Sequence, residues 1–287
     1  MENDIIHDGG LGDRLFGMIS MYMFAKENGL NFKLNHCNPF LLSDYLEPNK
    51  YDWFVSPEDI EYNNNIAYPI RMAGTYRKYH GTLEQENRFM YRYLARTIKK
   101  HPGKEYHVYT NAHFANTAQL YSPAFHELFK PSKKLQEAID MNKSRINGKY
   151  VSVTLRFQNL LGDFYEGKFP TLPEDDQKQL INKVIAKIED LHTQIHKEHK
   201  VLVTSDSRKF LDEVGKLDYV YTIPGKMVHM SYTPVHDFNT HLKSFVDLMM
   251  LADAEKLYFL VTDNMYRSGF AKSASFINNK PYEEVIW

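Results

Sequence analysis

From Lys149 onward the chain alternates short β-branched segments with amphipathic ones, and this alternation restricts the second half to a parallel α/β sheet. Tyr150–Arg156 reads as a strand from its alternating, β-branched pattern. Pro173–Glu198 carries Leu180, Ile181, Val184, Ile185, Ile188 and Leu191 at helical spacing, which predicts a long helix. Pro173 suits the first helical position, where a missing N–H costs nothing. Further strands are expected at Lys200–Thr204, Tyr219–Thr222 and Lys256–Val261, with helices over Ser207–Gly215, His241–Ala252 and Tyr266–Phe276. Strands and helices in strict alternation imply a parallel sheet with right-handed crossovers.

The first half predicts a short strand near Asp4–His7, a glycine turn, a helix from about Asp13 to Asn28 and a strand around Leu30–Leu34, which together make a βαβ unit. A basic helical piece follows at Leu83–Lys100, then a strand at Tyr106–Thr110 ending in Asn111-Ala112-His113. After Phe129-Lys130-Pro131-Ser132 comes a polar helix that runs out at Asn147-Gly148, a plausible linker. The chain, at 287 residues, is long enough for two cores. The expected architecture is α/β with two Rossmann-like halves and a cleft between them, residues 1–147 and 148–287.

Composition narrows the partners. Lys and Arg total 35 against 36 Asp and Glu, so the whole-chain charge gives no reason to expect nucleic acid. Cys37 is the only cysteine; an intramolecular disulfide is impossible and a reducing compartment is the natural expectation. No basic and apolar leader opens the sequence. No apolar run reaches the roughly 18–20 residues of a membrane span. A cytoplasmic protein is expected.

Four predicted strand ends carry polar or glycine chemistry. The first is Asp8-Gly9-Gly10-Leu11-Gly12-Asp13, a turn that leads into a helix whose free N–H groups suit an anion or a sugar hydroxyl. It departs from a dinucleotide fingerprint, because Leu15 stands where a third glycine is needed and Asn35-His36 where a ribose-binding acid is needed. A nicotinamide-dependent oxidoreductase is thereby disfavoured. The second is Arg156, at the strand edge that faces the ligand crevice in open α/β sheets. Its planar fork suits a phosphate, or equally a structural ion pair with Asp163 or Asp206. The third is Thr204-Ser205-Asp206-Ser207, where Asp206 and Ser207 are helix caps or phosphate contacts. The fourth is Thr262-Asp263-Asn264 with Ser268-Gly269-Phe270-Ala271, again caps or anion receptors.

Two side readings remain. His192, His196 and His199 share one side of the long helix as predicted, a spacing that suits zinc, although the neighbouring lysines read as a solvated face. The stretch Arg88–Lys100, with Tyr91 and Tyr93 interleaved, is either an exposed charged face or a contact for an anionic membrane surface or a phosphate-bearing lipid-linked acceptor.

Taken in order, these motifs resemble a known family. Gly9-Gly10-Leu11-Gly12-Asp13-Arg14-Leu15-Phe16 is similar to the N-terminal signature of bacterial α-1,2-fucosyltransferases, grouped with the protein O-fucosyltransferases and α-1,6-fucosyltransferases. Thr154-Leu155-Arg156 stands in the place of their His-x-Arg strand, Thr204-Ser205-Asp206-Ser207 in that of their Thr-Asp-Ser/Asp strand end, and Ser268-Gly269-Phe270 in that of their Ser-x-Phe-Ser element. The resemblance implies a GT-B-like fold of two facing Rossmann-like domains with mostly parallel sheets, the first half serving the acceptor and the second a GDP-sugar. It implies an inverting, metal-independent glycosyltransferase with no cofactor beyond its donor, first guess GDP-fucose. The acceptor it implies is a glycan or lipid-linked glycan in cell-surface polysaccharide synthesis.

In that scheme Arg156 binds the β-phosphate and stabilises the leaving diphosphate. Asp206, Ser207, Ser268, Gly269 and Phe270 frame the nucleotide, and Gly10, Gly12 and Asp13 lie near the sugar and acceptor. Asp13 is the candidate catalytic base and Asp163 the alternative. Thr154 replaces the family's histidine, Phe157 a frequent second arginine and Ala271 a serine. Those departures leave a second reading open, a non-catalytic nucleotide- or glycan-binding protein on the same fold.

Overall fold

The structure, a computed structural model, describes residues 9–72, 81–110, 113–114, 117–164, 169–195, 198–228, 230 and 237–287. The strand expected at Asp4–His7 lies outside them, as does His196. The chain divides into two compact units, Met1–Lys130 and Pro131–Trp287. This break falls before the polar helix rather than after it. That helix, Lys133–Ile146, packs on the helix Phe238–Asp253 of the second unit, and its Asn142 accepts a hydrogen bond from the Tyr221 hydroxyl at 2.6 Å.

In the first unit, α1 (Leu11–Glu27) begins directly at Leu11, with Gly10 in extended backbone as its cap. Its inner side, including Leu15 and Ile19, is buried, and Phe16 packs on Tyr121 of α3 (Thr117–Leu128) at 4.6 Å between ring centroids. The strand expected over Leu30–Leu34 shrinks to a single parallel bridge between Leu34 and Phe54. The backbone N–H of Phe32 donates instead to the Tyr51 hydroxyl at 2.8 Å, so no ladder forms there. Among the described residues the strands of this unit form two short pairs. β1 (Leu46–Pro48) pairs with β4 (Phe129–Pro131). β2 (Ala67–Arg71) runs parallel to β3 (Glu105–Tyr109), with Ala67 opposite Glu105. Helix α2 (Leu83–Lys100) starts at a reciprocal cap. Thr82 Oγ1 accepts the Gln85 N–H at 3.3 Å and the Gln85 side chain accepts the Thr82 N–H at 2.9 Å, satisfying two donors that a helix start leaves free.

The second unit follows the predicted alternation closely. Its elements are α4 (Lys133–Ile146), β5 (Tyr150–Leu155), α5 (Glu174–Gln194), β6 (Lys200–Ser205), α6 (Arg208–Val214), β7 (Val220–Thr222), α7 (Phe238–Asp253), β8 (Leu257–Val261), α8 (Phe270–Ile277) and β9 (Tyr282–Ile286). α4 ends at Asn147 in the left-handed region (φ 46°), followed by Gly148 at φ 129°, so the Asn-Gly pair is a helix stop. Pro173 is the cap of α5 and not its first helical residue; Glu174, Asp175 and Asp176 occupy the first turn, where negative charge meets the positive helix pole. α5 stops at Gln194, so His199 does not share the helix that carries His192.

All five strands are parallel, in the order β7-β6-β5-β8-β9. β5 is buried along its whole length, and its Val153 and Leu155 join Val184 and Ile188 of α5 and Phe210 of α6 in the core. From β5 the chain proceeds through β6 to β7 on one side, then returns to β8 and β9 on the other. The direction of winding therefore reverses between β5 and β8. In open α/β sheets a ligand crevice opens outside the carboxyl ends of the strands at such a point.

Candidate functional site

Arg156 follows the last residue of β5, at the reversal point. The carboxylate of Asp206, immediately after β6, lies 3.8 Å from its Nε. Asp206 Oδ1 accepts the N–H of Phe157 at 2.9 Å, and Oδ2 the N–H of Gln158 at 2.8 Å. The Asp206 side chain is 1% exposed and that of Arg156 21%. Burial pushes the Asp206 carboxyl up, and Arg156 together with the two backbone N–H groups pulls it back toward ionisation. Asp206 thus points inward and fixes the turn that carries the arginine.

The guanidinium carbon of Arg156 stands 5.4 Å from the ring centroid of Phe164 and 6.0 Å from that of Tyr266. Both rings are placed for cation–π attraction. The Tyr266 N–H donates to the Arg156 carbonyl at 3.1 Å, tying the segment after β8 to the end of β5. Arg156 is therefore oriented from three directions and keeps a solvent-facing side.

Ser207 and Asp163 serve the start of α6. The Phe210 N–H donates to Ser207 Oγ at 3.1 Å. Asp163 Oδ2 accepts both the Ser207 hydroxyl at 3.0 Å and the Lys209 N–H at 2.7 Å. These are capping geometries, which satisfy donors a helix N-terminus leaves open. Ser268 does the same for α8: its Oγ accepts the Phe270 N–H at 3.2 Å, with Gly269 as the cap residue and Phe270 half-buried. Thr154, in the place of the family's histidine, meets Thr204 Oγ1 at 2.9 Å inside the sheet, where the two residues are in register.

Gly10, Gly12 and Asp13 lie in the first unit. Gly9 has φ 81°, and a Cβ there would fall 2.6 Å from Asp13 Oδ2, so any side chain at this position is strained and displaces Asp13. A Cβ at Gly10 would meet nothing within 4 Å; Gly10 contributes its N–H, which donates to Asp13 Oδ2 at 3.2 Å. Gly12 is buried in the first turn of α1.

Asp13 is exposed, and its Oδ1 lies 3.8 Å from Nε2 of His113. The His113 ring stacks on Phe16 at 4.4 Å; burial holds its imidazole below the usual range, with Asp13 acting in the opposite direction. Arg14 turns back into the loop, donating to the carbonyls of Gly9 and Asn38 at 3.2 and 3.4 Å, with His36 Nε2 also at 3.4 Å. Burial and the Arg14 charge hold His36 down at about 4. His36 Nδ1 lies 3.2 Å from the Phe40 carbonyl, which can only accept, so the neutral ring donates from Nδ1 and accepts from Arg14 at Nε2.

His113 is the residue of this group that motif order does not single out; its signal is its place just past a predicted strand. His192 stacks on Tyr219 at 3.6 Å and His199 pairs with Glu255 at 3.2 Å. Among the described residues no group of three or more His, Cys, Asp or Glu side chains is arranged to hold a metal ion.

No protein-family model and no curated protein sequence matches this chain. Solved structures do. The NodZ α-1,6-fucosyltransferase soaked with GDP-fucose aligns at 13% identity with a TM-score of 0.59, over 94% of this chain and 90% of that one. The same enzyme is also known from Bradyrhizobium without a named ligand (TM-score 0.57, 13% identity, 93% and 89% of the two chains). A variant of Arabidopsis thaliana FUT1 in complex with GDP gives 11% identity and a TM-score of 0.59, over 97% of this chain and 68% of that one. At such identities the likeness is one of fold. The chain has the α/β, GT-B-like fold that these fucosyltransferases share, as its motif order implies.

Proposed function

We propose that this chain is an inverting, metal-independent glycosyltransferase that moves fucose from GDP-fucose to a glycan or lipid-linked glycan acceptor in cell-surface polysaccharide synthesis. The observation that carries the reading is Arg156. It stands at the carboxyl edge of a parallel sheet, at the reversal point, held by Asp206 and left partly open. A fixed guanidinium there suits a diphosphate, whose growing charge it stabilises without reorganisation as the sugar leaves. That GDP or GDP-fucose is bound in solved structures of the same fold supports the donor.

On this reading the second unit holds the donor and the first serves the acceptor. Ser268, Gly269 and Phe270 line the donor side. Asp206, Ser207 and Asp163 act indirectly, by fixing the turn after β5 and the start of α6. Gly10 and Gly12 shape the turn that presents Asp13, which takes the acceptor proton. His113, 3.8 Å away, orients that carboxylate.

The test is a melting-temperature panel without added metal, covering GDP, GDP-fucose, GDP-mannose, UDP- and CMP-sugars and NAD(P). GDP and GDP-fucose should raise the melting temperature of the wild type and leave Arg156→Ala unmoved. Asp13→Asn should keep the GDP response and lose acceptor-dependent GDP release; full activity in that variant removes Asp13 from the role of base. The Thr154–Thr204 pair favours a second reading, a nucleotide-binding protein without transfer, because the site lacks the family's imidazole. GDP binding with no transfer to a broad acceptor panel selects it.

A further inference from the structure

Among the described residues, helix α2 is fastened to the first unit along the side that carries Met90, Tyr91 and Leu94. Met90 and Leu94 are each 1% exposed. Tyr91 packs edge-on against Phe24 and Phe114 at 5.0 and 5.5 Å, and its hydroxyl donates to the Glu27 carboxylate at 2.8 Å. The other side carries Arg88, Arg92 and Arg96 at successive four-residue steps, with Phe89 and Tyr93 beside them. The two rings are 42% and 39% exposed and lie nearly parallel, 6.4 Å apart. With Gln85 these five side chains line one shallow cavity. Arg88 is paired with Glu84 at 2.8 Å, whereas Arg92 and Arg96 form no ion pair among the described residues.

We propose that this face of α2 docks on an anionic lipid bilayer. The charge argument comes first: a chain of net charge −1 concentrates unneutralised guanidinium groups along one line, where each gains from a negative surface. The rings select the lipid over a soluble polyanion. Phe89 and Tyr93 expose apolar area that a hydrophilic chain would leave in water, while a headgroup layer accepts both the ring and the phenol hydroxyl. Geometry agrees, since the face from Gln85 to Arg96 is one straight strip about 17 Å long. The proposed contact is peripheral, through this helix face; among the described residues no helix is long and apolar enough to cross a membrane. The proposal goes beyond the transferase reading and does not depend on it.

Vesicle sedimentation of the full chain tests it. The protein should bind phosphatidylcholine vesicles containing about one-third phosphatidylglycerol, should release them in high salt, and should ignore pure phosphatidylcholine. Arg92→Gln with Arg96→Gln should weaken binding roughly 25-fold, about fivefold per cation. Phe89→Ala with Tyr93→Ala should weaken it severalfold at unchanged salt dependence. A Phe89→Trp variant adds a readout that needs no loss of function: its emission should shift to the blue on anionic vesicles beyond any change in the wild type. Equal binding to neutral vesicles, wild-type binding by the double arginine variant, or an unshifted tryptophan would each overturn the proposal. So would tight binding to heparin that is indifferent to the aromatic pair, which would assign the face to a soluble polyanion.

Discussion

Asp206 Oδ2 lies 3.8 Å from Arg156 Nε, and the two residues stand at the carboxyl ends of adjacent parallel strands. One carboxylate thereby fixes both the guanidinium and the backbone turn that carries it. Asp206→Ala should strip two backbone N–H groups of their acceptor and destabilise the fold by about 2 kcal/mol, besides weakening any GDP response. Arg156→Ala should abolish the GDP response and also cost stability, because it leaves the buried Asp206 carboxylate without its counter-charge. Urea unfolding combined with GDP titration separates the two effects; a normal GDP response in Arg156→Ala would sink the assignment.

Asp163 and Ser207 form one capping unit at the start of α6. Ser207→Ala and Asp163→Ala should each cost about 1 kcal/mol, the usual worth of an N-cap. Because the two side chains share a hydrogen bond, the double variant should cost less than the sum. Both variants should still bind GDP. A selective loss of GDP binding at full stability would instead make either one a direct ligand.

His36 should make the first unit sensitive to acid. Its imidazole is held at about 4 in the folded chain, against an ordinary value of 6.5. Between those values the unfolded chain binds a proton that the folded chain refuses, so this contribution is fully present above pH 6.5 and is lost as pH falls toward 4. The loss is at most about 3 kcal/mol. His36→Gln should flatten the stability profile across that window, and an unchanged slope in urea melts would refute the assignment.

Lys243 and Asp247 form a buried pair one turn apart on α7, with Lys243 Nζ 2.8 Å from both carboxylate oxygens. Burial pushes the Asp247 carboxyl up and Lys243 holds it back. Removing either partner leaves an uncompensated buried charge, so Asp247→Ala should cost roughly 3–5 kcal/mol. Replacing both together, Lys243→Met with Asp247→Leu, should recover most of that loss. Denaturant midpoints of the wild type and the two variants check the ordering.

Much of the second unit was legible in the residue pattern, because Tyr150–Leu155 and the helix bearing Leu180 to Leu191 state their periods locally. The helix at Leu83–Lys100 was legible for the same reason. β9 was not: Tyr282-Glu283-Glu284-Val285-Ile286 has charges on an edge strand, and only pairing with β8 makes it a strand. The strand expected at Leu30–Leu34 failed for a related reason, since Tyr51 took the Phe32 N–H. Asp206 and Ser207 were legible as caps or ligands, but the choice depended on what β5 brought beside them.

Residue patterning states the alternation of strands and helices in the second half, the placing of polar residues at strand ends, and a motif order like that of fucosyltransferases. Those are properties of near neighbours, fixed by side-chain period and turn chemistry. Long-range packing sets the strand order with its reversal between β5 and β8, the partnership of Arg156 with Asp206, and the approach of His113 to Asp13. Each joins residues dozens of positions apart. What brings them together is the burial of shared apolar faces, which no local pattern encodes.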